Sequence, residues 1–394
     1  MKKVTLITSF LFFLFSVKGQ LSQGGEPYSI KKGLSLKNVP INKMPTKDLS
    51  NVLQKKNNDK KKTEQENIKV YDFAYNIDVS IGFDDGKWQK LKNGDRIWRT
   101  QIHSKDALNL NFGFSLYDLP KGAELFIYTP DHKHILGAFT HKNNKNSGRL
   151  ATTVIRGERA IVELYEPASV KGETAIKIGR VSHGYKEFYN FRNKRGFGDA
   201  GSCNMNVNCP DGQPWQDQKR SQAMSISGGT RRCSGAILNN TAEDGTPYYL
   251  TANHCLNSSV SSWVFMFNYE SPNCSDIDGP TDFTVSGATL RANNSDSDFG
   301  LLELSKVPPD SFDVYYAGWD HTGRIPDSTT CIHHPSNDIM KISFDLDSPE
   351  IDQGLANIDS AEWHIKEWDR NTTTEGGSSG APLFDDQKRI IGQL

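Results

Sequence analysis

The sequence predicts an all-β protein in two unequal halves, a packed sandwich in front and a disulfide-stapled body behind. Three observations carry that expectation. Leu108, Leu110, Phe112, Phe114 and Leu116 occupy every second position, as in a strand with one buried face. Turn chemistry separates such runs at Asp84-Asp85-Gly86, Asn93-Gly94, Pro120-Lys121-Gly122 and Pro130-Asp131. All six cysteines fall between Cys203 and Cys331, so packing alone must hold the front half. At 394 residues there is room for two or three domains. Charged residues at 24% and a formal net charge of −1 supply no global field for nucleic acid or an anionic membrane.

Taken in order, the chain opens on Met1-Lys2-Lys3 and an apolar run over 4–17 with small Gly19 after it. That is the shape of a secretory signal over 1–19, too short for a comfortable membrane span. Export would put the cysteines in an oxidising compartment. Residues 20–67 include the lysine-rich run 55–62 and little apolar content, and are expected to be mostly disordered. Strand-like runs follow at 97–102, 108–116, 123–128, 135–139, 151–155, 160–165 and 175–181, so a sandwich is expected over 68–181. His132 and His134 read as surface histidines, because no further metal ligands lie near them in the sequence. Residues 182–195, with Arg192, Lys194 and Arg195, form a basic hinge of the kind that proteases nick.

The chemistry centres on 374–384, T-E-G-G-S-S-G-A-P-L-F. The composition fits a flexible Gly/Ser loop. It also fits a tight turn that presents Ser379 as a nucleophile, with the amides of Gly377 and Ser379 as an oxyanion hole. A serine hydroxyl needs a base and an acid from elsewhere. The strand-like 247–250 runs into Thr251-Ala252-Asn253-His254-Cys255, where a neighbouring half-cystine would restrain the His254 ring. Taken alone, His254 better suits a buried structural role than a catalytic one. Asp298 directly precedes the apolar run 299–304 and can accept from the imidazole Nδ1–H. Asp296 lies in the Asn/Ser/Asp-rich turn, where capping is the simpler job.

The order His254, Asp298, Ser379 is that of trypsin-like serine proteases. T-A-N-H-C, S-D-F-G-L-L-E-L and G-S-S-G-A-P resemble that family's histidine, aspartate and nucleophile motifs. From about residue 196 onward the chain more closely resembles bacterial secreted lysyl endopeptidase precursors. The segments that carry this are G-S-C-N-M-N-V-N-C-P-D-G at 201–212, C-S-G-A-I-L-N-N-T-A at 233–242, Y-Y-A-G-W-D at 315–320, I-H-H-P at 332–335 and I-G-Q-L at 391–394. The resemblance implies a trypsin-like double β-barrel over 196–394, with His254 and Asp298 from the first barrel and Ser379 from the second. It implies that the front sandwich is a propeptide, expected to assist folding, cover the cleft and be cut away before a start between Gly196 and Gly201. It also implies disulfides Cys233–Cys255 and Cys209–Cys274, leaving Cys203 and Cys331 without an assigned partner.

Two departures shape the expectation. Ser378 stands where many trypsin relatives carry an aspartate that pairs with the freed N-terminus. The residues expected to wall the specificity pocket and close the second barrel would follow Leu394, so the barrel is expected to be C-terminally incomplete and the chain truncated. Hydrolysis after lysine, through an acyl-enzyme on Ser379, is thus implied by the resemblance alone. The alternative is a non-enzymatic secreted protease-like binding protein or an inactive fragment. The chemistry needs no metal or organic cofactor, and His333-His334 reads as a structural strand pair. Expected partners are protein or peptide substrates and the chain's own propeptide, with no nucleic acid and no membrane span after signal removal. The chain is expected to act as a monomer.

Overall fold

The computed structural model describes residues 22–48, 50–52, 71–186, 200–256, 259–352 and 362–394. The signal-like start, the lysine run and most of the basic hinge lie outside the described residues. The front half is a pair of facing sheets. One runs Ile41–Lys43, Arg96–His103, Arg159–Glu166, Glu124–Tyr128, Ile135–Phe139, with Lys87–Lys90 also on Arg96–His103. The other runs Ile155–Arg156, Asn109–Asp118, Ala175–Gly184, Ala74–Ile81. The alternation at 108–116 works as expected at its centre: Leu110, Phe112 and Phe114 are buried in the shared core, while Leu116 at the strand end is 43% exposed.

Two expectations for this half need correction. Disorder over 20–67 does not hold for 22–48. There Ser29 is buried, its amide donating to Glu163 Oε1 at 3.0 Å, and Ile41–Lys43 pairs in parallel with 101–103. Val39 and Met44 bury their side chains, so a few well-placed anchors order a segment whose average composition is polar. The run 151–155 is not one strand either; it splits into Leu150–Ala151 and Ile155–Arg156. His134 is half-buried, accepts from the Arg156 amide, and is pulled down to about 4 by desolvation and by the Arg156 charge.

The back half begins with an antiparallel barrel. Gln222–Ser227, Arg231–Leu238, Tyr248–Ala252, Val264–Phe267 and Phe299–Leu304 form five staves. The sixth is bent: Thr284–Ser286 pairs with Val264–Phe267, and after the corner at Gly287 Ala288–Asn294 pairs with Phe299–Leu304. That corner closes the sheet on itself. A second antiparallel sheet has the order Met205–Asn206, Lys341–Asp345, Thr329–His333, Pro382–Asp385, Ile390–Gln393. Residues 314–317 form no strand of their own; Ala317 makes a bridge to Leu238, and Val314 and Tyr316 pack against the barrel core. Both implied disulfides are present, and Cys203 and Cys331 are free.

The halves share a core. Along Gln222–Ser227 side chains alternate: Ala223 enters the barrel core, while Met224 and Ile226 join the core of the front sandwich. Phe265 and Phe267 likewise face the barrel, with Val264 and Met266 facing the sandwich. The front half adds a strand as well, Tyr71–Asp72 pairing antiparallel with 231–232. Asn76 and Asn111 donate to the carbonyls of Gly228 and Gly229 at 3.0 and 2.8 Å.

Candidate active site

His254 sits in the 3-10 turn Asn253–Cys255 at the end of Tyr248–Ala252. The disulfide from Cys255 to Cys233 ties that turn to the neighbouring strand. Asp298 lies immediately before Phe299–Leu304, in the left-handed region at φ +49°, which aspartate tolerates better than most residues. It grips the histidine twice, Oδ1 accepting from the His254 amide at 2.8 Å and Oδ2 bonding Nδ1 at 2.6 Å. Its carbonyl accepts from the Asn253 amide at 2.7 Å and from Gln393 Nε2 at 2.9 Å. The imidazole is therefore fixed in position and tautomer, with Nδ1 turned to the carboxylate. The His254 side chain is 9% exposed and that of Asp298 34%, so the aspartate is less buried than its place before an apolar strand suggests. Asp296 belongs to the exposed turn, its amide donating to Asn294 Oδ1 at 2.7 Å.

Ser379 reaches the same cleft from the second sheet. A cavity of 680 Å3 is lined by His254, Asp298 and Ser379 together with Trp363, Trp368 and Gln393. Among the described residues none of 22–186 lines it. The front half instead uses the sheet face made by Met224, Ile226, Val264 and Met266.

The turn before Ser379 is fixed by its attachments. Gly377 and Gly380 take φ +100° and +83°, conformations that side chains oppose. A Cβ on Gly380 would also lie 2.3 Å from Thr251 Oγ1 and 2.4 Å from the Ser234 carbonyl, so only glycine lets the turn approach the barrel so closely. Ser234 clamps it, Oγ donating to the Gly377 carbonyl at 3.0 Å and the amide to the Ser379 carbonyl at 2.8 Å. Among the described residues the amides of Gly377 and Ser379 donate no hydrogen bond within the protein. Ser378 is buried and its hydroxyl lies 2.8 Å from His333 Nδ1; His333 Nε2 meets Ser343 Oγ at 3.1 Å. Burial, reinforced by His334 and Lys341, pulls His333 down to about 3, so it is neutral. His334 Nδ1 bonds the Asp338 carbonyl at 3.0 Å.

Ser234, Gln393 and His333 are the contributors that the motifs did not single out in these roles. Ser234 follows Cys233 in a segment already noticed, and its hydroxyl was the available signal. Gln393 gave none, since it acts across the cleft. The metal-like grouping of Cys233, His254 and Cys255 consists of two disulfide sulfurs and this imidazole, and offers no thiolate to an ion.

Comparison with known proteins agrees with the sequence motifs. The N-terminal domain family of lysyl endopeptidase matches residues 44–185 and its C-terminal domain family residues 197–394. The lysyl endopeptidase of Pseudomonas aeruginosa is 27% identical over 249 residues, covering 59% of this chain. The match spans about half of that relative, 52% of its length. Solved structures of a thermostable serine protease AL20 from an extremophilic microorganism and of Deg5 overlap 45% and 46% of this chain and 83% and 82% of their own. Both are 13% identical with a TM-score of 0.32, too low a likeness to carry an argument. By the domain matches the chain belongs to the lysyl endopeptidase family.

Proposed function

We propose that this chain is the precursor of a secreted serine endopeptidase that hydrolyses peptide bonds after lysine. The observation that carries the proposal is the His254–Asp298 pair, held by bonds of 2.6 and 2.8 Å, on the wall of a cleft that Ser379 also lines. In this reading His254 Nε2 takes the Ser379 proton as the hydroxyl oxygen attacks the scissile carbonyl, and Asp298 stabilises the imidazolium. The amides of Gly377 and Ser379 receive the developing oxyanion. His254 then protonates the leaving amine, and water repeats the sequence to release the acid. Lysine preference is supported by family membership, and export by the two disulfides and the signal-like start. The front half, as propeptide, would lend its apolar face to the barrel while that folds.

The test is a Ser379→Ala variant of the protein expressed from its own gene, assayed on matched lysyl and arginyl peptide substrates. The reading expects kcat to fall by about four to six orders of magnitude with binding little changed. Unimpaired turnover by the variant would remove Ser379 from the chemistry, and equal cleavage after arginine would remove the lysine preference.

A further inference from the structure

The turn 374–380 contains three glycines and two small serines, so it has little side-chain packing to hold it. Its order must come from attachments that offset the entropy of a flexible segment. On the inner side these are Ser234 and the Ser378–His333 bond. On the outer side they converge on one side chain, Glu375. Its Oε1 accepts from the Gly201 amide at 2.9 Å and from Asn204 Nδ2 at 2.8 Å. Its Oε2 accepts from Ser336 Oγ at 2.7 Å, while the Ser336 amide donates to the Gly376 carbonyl at 2.7 Å. Within the turn the Glu375 amide donates to Ser378 Oγ at 3.2 Å, and its carbonyl accepts from the Ser378 amide at 3.0 Å. Glu375 also lines the cleft beside Ser379.

We propose that Glu375 is a positioning residue that couples the start of the back half, Gly201 to Asn204, to the turn carrying Ser379. The inference rests on the serine endopeptidase reading above. Ser378, next to the nucleophile, carries no charge, and Glu375 is the only acidic residue of 374–384. A carboxylate can accept several hydrogen bonds at once without giving up a proton, and bonds to a charged acceptor are stronger than neutral ones. Glu375 thus joins three chain segments through a single group. Displacing 200–204 would loosen the turn that sets the Ser379 hydroxyl and the two amides, where small misplacements are expensive in rate.

The test compares Glu375→Ala, Glu375→Gln and Asn204→Ala by kcat, KM, and the rate at which a lysyl phosphonate labels Ser379. Alanine is expected to lower kcat and the labelling rate together by about 10–100-fold with KM within about twofold. Glutamine keeps an acceptor for Gly201 and Asn204 and should restore both to within about fivefold of wild type. Asn204→Ala should show the same pattern weakly, which keeps the test informative where Glu375→Ala does not fold. Wild-type kcat and labelling in Glu375→Ala, or in Asn204→Ala when the first variant is unfolded, would overturn the proposal. A drop in melting temperature with unchanged kcat would overturn it too, because Glu375 would then be scaffold only. Failure of the wild type itself to label at Ser379 would instead overturn the endopeptidase reading.

Discussion

The two sides of the cleft are held in place by different physics. The barrel side, which carries His254 and Asp298, is braced by packing: its staves Gln222–Ser227 and Val264–Phe267 are buried on both faces, one against its own core and one against the front sandwich. A disulfide locks the histidine turn. The second sheet carries Ser379 in a glycine-rich turn held by Ser234, His333, Ser336 and Glu375, almost wholly through hydrogen bonds. Apolar burial is insensitive to pH and non-directional, whereas a buried polar network depends on every member keeping its partner and protonation state. The barrel side should therefore fail through lost packing, and the Ser379 side through lost geometry.

Breaking the packed side should have the largest effect on stability. Ile226 is 1% exposed at the junction of barrel and sandwich, so Ile226→Asp places an unpaired carboxylate in a shared core. The expected loss is about 4 kcal/mol or more, read by urea denaturation. A loss under about 1 kcal/mol would mean that the front half does not rest on this face in solution.

Removing the Cys233–Cys255 bridge, which spans 22 positions, should cost about 3 kcal/mol on the chain-entropy model. Peptide mapping without reduction should recover that pair and Cys209–Cys274. A Cys255 joined to Cys331 would show the framework to be different.

A subtler experiment separates the two sides by pH. His333 is pulled down to about 3 in the folded protein and returns to about 6.5 when unfolded. The unfolded chain then binds its proton first as the pH falls. The stability gained from neutral His333 is complete above about pH 6.5 and is lost towards pH 3 at up to ~1.4 kcal/mol per pH unit. Asp338, pushed up to about 6 by burial, works in the opposite sense between its ordinary 3.8 and 6. The quantity to measure is therefore the difference between wild type and His333→Gln across pH 4–7, which should shrink on acidification. A difference independent of pH would show that His333 titrates normally.

A second pH effect lies at the seam of the halves. Lys145 of the sandwich donates to Ser286 Oγ of the barrel at 2.9 Å, and desolvation with the nearby Lys306 charge brings it down to about 7. Its folded value lies below its ordinary 10.5, so docking that buries it should tighten as the pH rises from 7 towards 10, by at most about tenfold per unit. Isolated sandwich titrated onto the back half, with Lys145→Met as the pH-independent control, would show this slope or its absence.

Much of this was legible in the sequence for reasons that are local. Apolar runs split by turn residues located Arg96–His103, Asn109–Asp118, Glu124–Tyr128, Ile135–Phe139, Arg159–Glu166 and Ala175–Gly184 of the sandwich, and Phe299–Leu304 falls where its apolar run predicts. The spacing of T-A-N-H-C and S-D-F-G brought out two residues that the fold places within one hydrogen bond. What the sequence could not show depends on contacts between distant segments. Residues 22–48 look too polar to order because the anchors Ser29, Val39 and Met44 are sparse and their partners lie far along the chain. Strand 222–227, Q-A-M-S-I-S, contains no apolar run that marks it out, and nothing local says that its two faces serve two cores. Glu375 and Gln393 act across 174 and 95 positions respectively, beyond any spacing rule.

The central claim is that His254, Asp298 and Ser379 act together in a cleft that none of residues 22–186 lines. The most direct measurement is phosphonate labelling of the protein before and after removal of the front half, with the adduct located by peptide mass mapping. The account predicts an adduct on Ser379 in both forms, abolished by His254→Ala. Labelling only after the front half is removed would mean that it closes the site, and an adduct on any other residue would contradict the assignment of the nucleophile.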